Sequence, residues 1–253
     1  MLFKKIILST LFIMSASIGM GQPLSSDQQT ITAKSKRFSV RLSSGYGFLI
    51  GNSDDSRNEL IRMGLDPKLA TEYYKEYRNS LLTGLSFQYN IVNTDWLTFG
   101  AGLSYTNTIS GSKKEGRLDP QDGVNYLYGI YSEDIYTNLY AFLLRFSFYP
   151  DRKKITTIFM ESSQGLLSYR NEMIRGSDAS LLTGQTLGFD SKIGFGVMIF
   201  KNTWIDLSGG ITGGMMRHFT LRNAYTSTKI SFPENQFESL LKLSMQLGVS
   251  YKF

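Results

Sequence analysis

From Phe237 to Phe253 the chain alternates, and this constrains it more than any other feature. Phe237, Ser239, Leu241, Leu243, Met245, Leu247, Val249, Tyr251 and Phe253 hold the odd positions. Glu238, Leu240, Lys242, Ser244, Gln246, Gly248, Ser250 and Lys252 hold the even ones. Successive side chains of a β-strand point to opposite faces, so this segment has one greasy face and one wet face. A helix would scatter Lys242, Gln246 and Lys252 around the apolar set.

Seven earlier segments follow the same period. Phe38, Val40, Leu42, Tyr46, Phe48 and Ile50 face away from Ser39, Arg41, Ser43, Gly45 and Gly47. Leu81, Leu85, Phe87, Tyr89 and Ile91 form a second set, and Leu97, Phe99, Ala101, Leu103, Tyr105 and Ile109 a third. The fourth is Tyr136, Tyr140, Phe142, Leu144, Phe146 and Phe148, opposite Thr137, Ala141, Arg145 and Ser147. The sixth is Leu187, Phe189, Ile193, Phe195, Val197 and Ile199, opposite Asp190 and Lys192. The seventh is Ile205, Leu207, Ile211 and Met215, opposite Asp206. The fifth, Ile155 to Tyr169, is ambiguous: Ile158, Met160 and Leu166 share a face, but Phe159, Leu167 and Tyr169 compete. Its register leaves Glu161 pointing inward.

The connections differ in length. Asn93-Thr94-Asp95, Pro150 to Lys154 and Lys201-Asn202-Thr203 are tight and carry turn chemistry. Residues 51–80, 110–134, 170–185 and 216–236 read as long loops. In the first, Asp66-Pro67 resembles a helix cap followed by proline at the first helical position, so a helix is expected over Lys68 to Arg78. Its Tyr73, Tyr74 and Tyr77 cluster on one side, either as a contact surface for a partner or packed on the barrel rim.

The first 21 residues read as a processing signal. Lys4 and Lys5 precede the apolar stretch Ile6 to Met14, and Gly19-Met20-Gly21 supplies small residues before a cut at Gln22. Residues 22–36 are polar and are expected to form a flexible periplasmic leader. Removing Lys4 and Lys5 takes the formal charge from +6 to +4, which is no nucleic-acid signature. The chain has no cysteine, so no disulfide framework stabilises it. Past the signal no apolar run is long enough for a membrane helix, so a spanning chain must close into a barrel.

The expected fold over residues 37–253 is all-β, an eight-stranded antiparallel up-and-down transmembrane β-barrel. Short turns at one rim and long loops at the other suit an outer-membrane barrel, with both termini at the short-turn, periplasmic rim. Aromatics gather at strand ends: Tyr46, Phe48, Tyr105, Tyr136 and Phe237 at one rim, and Phe38, Tyr89, Phe148, Tyr251 and Phe253 at the other. Trp96 and Trp204 also adjoin short turns, where strand parity aims both inward. A soluble lipocalin-like carrier is the rival fold, because alternation alone does not say which face is outside.

With these segments in place, the chain resembles the small outer-membrane β-barrel domain family abundant in Bacteroidetes and, more distantly, the OmpA/OmpX-type barrels. The resemblance spans roughly residues 37 to 253 and ends in Leu247-Gly248-Val249-Ser250-Tyr251-Lys252-Phe253. It implies that Tyr251 and Phe253 form the signal read by the barrel-assembly machinery. It transfers no activity and no cofactor, since members of that family share none.

Arg41, Arg145, Glu161, Asp190, Lys192, Asp206, Glu238 and Lys242 are expected in the lumen. Eight strands leave a bore that side chains fill, so these charges should pair as a plug, with a proton or ion path as the alternative. His218, the only histidine, stands two residues before Thr220. That spacing faintly resembles the lipid A deacylases, but threonine replaces their serine and no acidic partner is identifiable. A single histidine leaves no metal-ligand set. Gly209-Gly210 and Gly213-Gly214 fit curvature of a tight barrel better than a phosphate loop. The leading expectation is therefore a non-enzymatic barrel that meets outer-membrane lipid and an envelope partner through its loops. On the last strand Leu243, Met245 and Leu247 should lie nearest the bilayer centre, and Gln246, facing the lumen, should tolerate lysine.

Overall fold

The computed structural model describes residues 37–50, 53–62, 65–118, 127–151, 153–176, 178–233 and 237–253. The expected signal, residues 1–21, and leader, residues 22–36, lie outside the described residues.

Eight long strands close a ring. They are β1 (Phe38–Leu49), β2 (Asn79–Asn93), β3 (Leu97–Leu118), β4 (Leu127–Phe148), β5 (Thr156–Gly176), β6 (Asp178–Phe200), β7 (Thr203–Met216) and β11 (Lys242–Lys252). Each pairs antiparallel with its neighbours, β11 meets both β7 and β1, and no ring edge is left free. Pairing is staggered around the ring. From Tyr46 the row through Leu81, Ile109 and Tyr136 reaches Arg170 on β5. In the other direction the row through Met245, Gly209 and Ile193 reaches Met160 on the same strand. A stagger of this kind accompanies the strand tilt that closure requires.

The faces are unambiguous. Leu42, Phe87, Leu103, Phe142, Met160, Ile193, Leu207 and Leu247 are exposed, while Arg41, Glu161, Asp190, Lys192, Asp206 and Gln246 are buried. A belt of exposed leucine, isoleucine and phenylalanine around a polar interior is stable against hydrocarbon and not against water. Phe38, Tyr89 and Phe253 pack together at the short-turn rim, with ring centroids 5.1 and 6.0 Å apart.

The long connections differ from expectation. Residues 110–134 and 170–185 are mostly strand: β3 and β4 run 22 residues each, β5 runs 21 and β6 runs 23. Residues 216–236 hold a hairpin, β8 (His218–Asn223) and β9 (Ser227–Ser231), which extends the sheet from β6. Among the described residues only the segment 51–80 holds helices, α1 (Ser53–Arg62) and α2 (Pro67–Tyr77).

The reason lies in the fifth strand. Up to Leu166 its large apolar side chains Ile158, Met160 and Leu166 face outward, with the polar Ser162 and Gln164 between them. Beyond it Leu167, Tyr169 and Met173 are buried, and Arg170 and Glu172 face out. The alternation persists but its sign inverts, as a sheet that leaves lipid for water demands. Phe159 is the exception below this point: it is buried in the lumen.

The last strand also departs from expectation. It breaks at Leu240–Leu241, leaving β10 (Glu238–Ser239) against β7. Gly213 causes the break: its φ is +145°, and a Cβ there would collide with the carbonyl of Leu240. Trp96 is corrected too. It sits in the turn before β3, is 58% exposed, and packs edge-on to Phe148. Strand parity does not extend into a turn. Trp204 does face inward.

Candidate functional site

The lumen is filled in three layers. The middle one is ionic. β4, β5 and β6 place Arg145, Glu161 and Lys192 in one cross-strand row. Glu161 is the hub: its carboxylate lies 3.5 Å from Arg145 Nη1, 3.5 Å from Lys192 Nζ and 4.0 Å from Arg41 Nη1. Lys192 also meets Asp190 at 2.8 Å. Arg41 Nε and Nη2 grip the Asp206 carboxylate at 3.0 and 2.6 Å, and Nη2 donates to Ser208 at 3.2 Å. The Phe159 ring receives two guanidinium groups, Arg145 at 3.8 Å and Arg41 at 5.6 Å from its centre. Gly248 makes room for the Arg41–Asp206 pair, since a Cβ there would stand 2.6 Å from Asp206 Oδ1 and 2.7 Å from Arg41 Nε.

Two of the eight expected lumen charges stand apart. Lys242 is buried among Thr106, Thr108, Thr137 and Thr212, and among the described residues its ammonium has no hydrogen-bond partner. Glu238 lies on β10 at the mouth of the bore and makes no ion pair with the network among the described residues. It pairs with Met216 of the apolar stopper, so it keeps the inward parity of Leu240 and Lys242 at the open end of the lumen. Gln246 faces the lumen as expected, but it is engaged there. Its Oε1 accepts from Ser43 at 3.0 Å and Lys192 at 3.3 Å, so lysine there would press two ammonium groups together.

Toward the long hairpins the lumen is stoppered by Ile135, Leu139, Leu167, Tyr169, Met216, Phe219 and Leu240. Toward the short turns Lys252 is held between aromatics. It donates to the Tyr149 hydroxyl, and its ammonium lies 4.2 Å from the Trp204 ring centre. The sequence reading missed both layers. The inverted alternation after Leu166 was the available signal for the stopper. For Lys252 the only signal was its parity with Lys242.

At the rim His218 is exposed, and its Nδ1 lies 3.0 Å from Ser231 Oγ. Thr220 is half-buried on the same face of β8, and its carbonyl accepts a 3.5 Å bond from Thr183 Oγ1. No carboxylate among the described residues is hydrogen-bonded to His218. Among the described residues no group of three His, Cys, Asp or Glu side chains is arranged to hold a metal ion.

Over 89% of this chain and 99% of the other, the structure superimposes on the outer membrane protease OmpT from Escherichia coli, with a TM-score of 0.51 and 8% identity. The fold is that of an outer-membrane β-barrel. OprG from Pseudomonas aeruginosa covers 86% of this chain and 97% of its own, at TM-score 0.46 and 11% identity. Neisserial surface protein A covers 85% and 97%, at TM-score 0.44 and 12% identity. No family model matches the sequence, and no curated protein does.

Proposed function

We propose that this chain is a non-enzymatic barrel of the bacterial outer membrane, closed to flux, whose long hairpins contact another component of the cell envelope. The observation that carries this reading is the three-layered filling of a lumen wrapped in an apolar belt. A bore occupied by an apolar stopper, an ion network and a lysine clamped by aromatics leaves its hairpins and helices as the surfaces on which to act. The short-turn rim, with both strand termini, faces the periplasm, and the hairpins and α2 stand outside the cell. The small outer-membrane barrels of Bacteroidetes are the family to which we assign it.

Insertion proceeds through the barrel-assembly machinery, reading the last strand. Phe253 and Tyr251 are both exposed on the outer face, where a receptor could hold them before closure. Phe253 then locks the seam, exchanging backbone hydrogen bonds of 3.2 and 3.0 Å with Phe38.

Hydrolysis of lipid by His218 and Thr220 is the enzymatic alternative. The engagement of His218 with Ser231 and of the Thr220 carbonyl with Thr183 favours a structural hairpin instead. The test is threefold. The protein should fractionate with the outer membrane, migrate differently before and after boiling, and give no steady conductance in planar bilayers. Recovery in the soluble periplasm, a steady ion current, or hydrolysis of lipid A abolished by His218→Ala would each overturn it.

A further inference from the structure

We infer that the outer face of the β5–β6–β8–β9 extension is a docking site for the phosphorylated headgroup of an outer-leaflet lipid. The inference rests on the proposed outer-membrane location. Cross-strand pairing builds the site as a grid. Arg170 pairs with Thr183, Thr183 with Thr220 and Thr220 with Lys229, giving one row. Ser168 pairs with Gln185 and His218 with Ser231, giving a second row directly below it. Directly paired residues share a face. These eight side chains therefore form one polar plaque, and an open groove runs through it.

Height decides what the plaque meets. Below Ser168 and Gln185 on the same strands come Leu166 and Leu187, paired with each other and 46% and 78% exposed. Above Leu166 the next three outward positions of β5 are Ser168, Arg170 and Glu172, and this polar run sets the boundary between hydrocarbon and water. The two polar rows thus occupy the layer where lipid headgroups lie.

Chemistry decides what kind of headgroup. The two rows contain Arg170 and Lys229, hydroxyls from two serines and two threonines, an amide and an imidazole, and no carboxylate. Lys229 has no ion-pair partner among the described residues, and Arg170 pairs only with Glu172, at 2.5 Å in the row above. Guanidinium and ammonium groups flanked by hydroxyls match phosphate oxygens. His218 supplies a further donor or acceptor according to its tautomer. The continuity of plaque and apolar belt selects a lipid-borne phosphate over a free one, because the acyl chains would lie along Leu166 and Leu187.

The test uses the refolded barrel in micelles, titrated with bisphosphorylated lipid A, the same lipid dephosphorylated, and inorganic phosphate. Wild type should bind the bisphosphorylated lipid at least about tenfold tighter than the dephosphorylated one, the scale of a charge-assisted contact. The double variant Arg170→Gln, Lys229→Gln should lose about that factor while keeping its boiling-dependent gel shift. Glu172→Gln, which releases Arg170, should tighten binding. Equal affinity for the dephosphorylated lipid, displacement by inorganic phosphate, or unchanged binding by the double variant would each overturn the site. Those results leave the barrel in the membrane. Recovery of wild type from the soluble periplasm would instead remove the location on which the site depends.

Discussion

At the scale of single residues, the interior is organised around Glu161. Its carboxylate is shared by Arg41, Arg145 and Lys192, all buried. Glu161→Gln keeps the shape and removes the charge, leaving buried cations without their hub. The expected loss is about 3–5 kcal/mol, the usual result of breaking a buried ion network from one side. Urea unfolding from lipid vesicles reads it, and a loss within experimental error would show the network to be incidental. Gly248→Ala acts on the same network through space, since its Cβ falls on Asp206 and Arg41. Displacing that pair should cost about 1–3 kcal/mol in the same assay. The identity of the inward charges was legible from parity alone. Their partners were not, because pairing depends on register between strands far apart in sequence, as with Arg41 and Asp206.

Among elements, α2 shows what local sequence carries. Asp66 accepts from the backbone N–H groups of Lys68 and Leu69 at 2.8 and 3.3 Å. Tyr73 is buried beside Leu60, Leu65 and Tyr131, and the buried Tyr74 stacks on Tyr77, so both pack locally. Asp66→Ala should cost the helix about 0.5–2 kcal/mol, visible as faster amide exchange over residues 67–77 while the barrel amides stay protected. The helix is docked to β3 by Glu76, which accepts from Lys114 at 2.6 Å and Ser112 at 2.9 Å. The Lys114 bond is the larger of the causes that hold the Glu76 carboxyl below its ordinary value of 4.5. A carboxyl lowered in the folded state stabilises docking above its unfolded value and loses that contribution as pH falls through the folded one. Protection factors over α2, taken relative to the intrinsic exchange rate at each pH, should therefore fall as pH drops below 4.5, and Glu76→Gln should remove the dependence. Glu76 is half-exposed, so water screens the effect. The eight spans were legible because period two with one apolar face is what lipid selects. The strand extensions were not. Above Leu166 the apolar side turns inward, and Tyr169 and Arg170 read as noise against the pattern below them.

For the whole molecule, the layered lumen and the exposed belt make one claim: the outer face is solvated by hydrocarbon. Alternation could not decide this, because a soluble carrier shows the same period with its apolar face inside. The structure puts Leu42, Phe87, Leu103, Leu187 and Leu247 outside. On β11 the exposed apolar series runs Leu243, Met245, Leu247, Val249, Tyr251, Phe253, and Leu247 stands near its middle, 58% exposed. The most direct measurement is reversible urea unfolding of Leu247→Lys from lipid vesicles. An ammonium carried to the midplane should cost roughly 2–4 kcal/mol. An exposed leucine on a water-facing surface would tolerate lysine to within about 0.5 kcal/mol, and that result would contradict the membrane barrel.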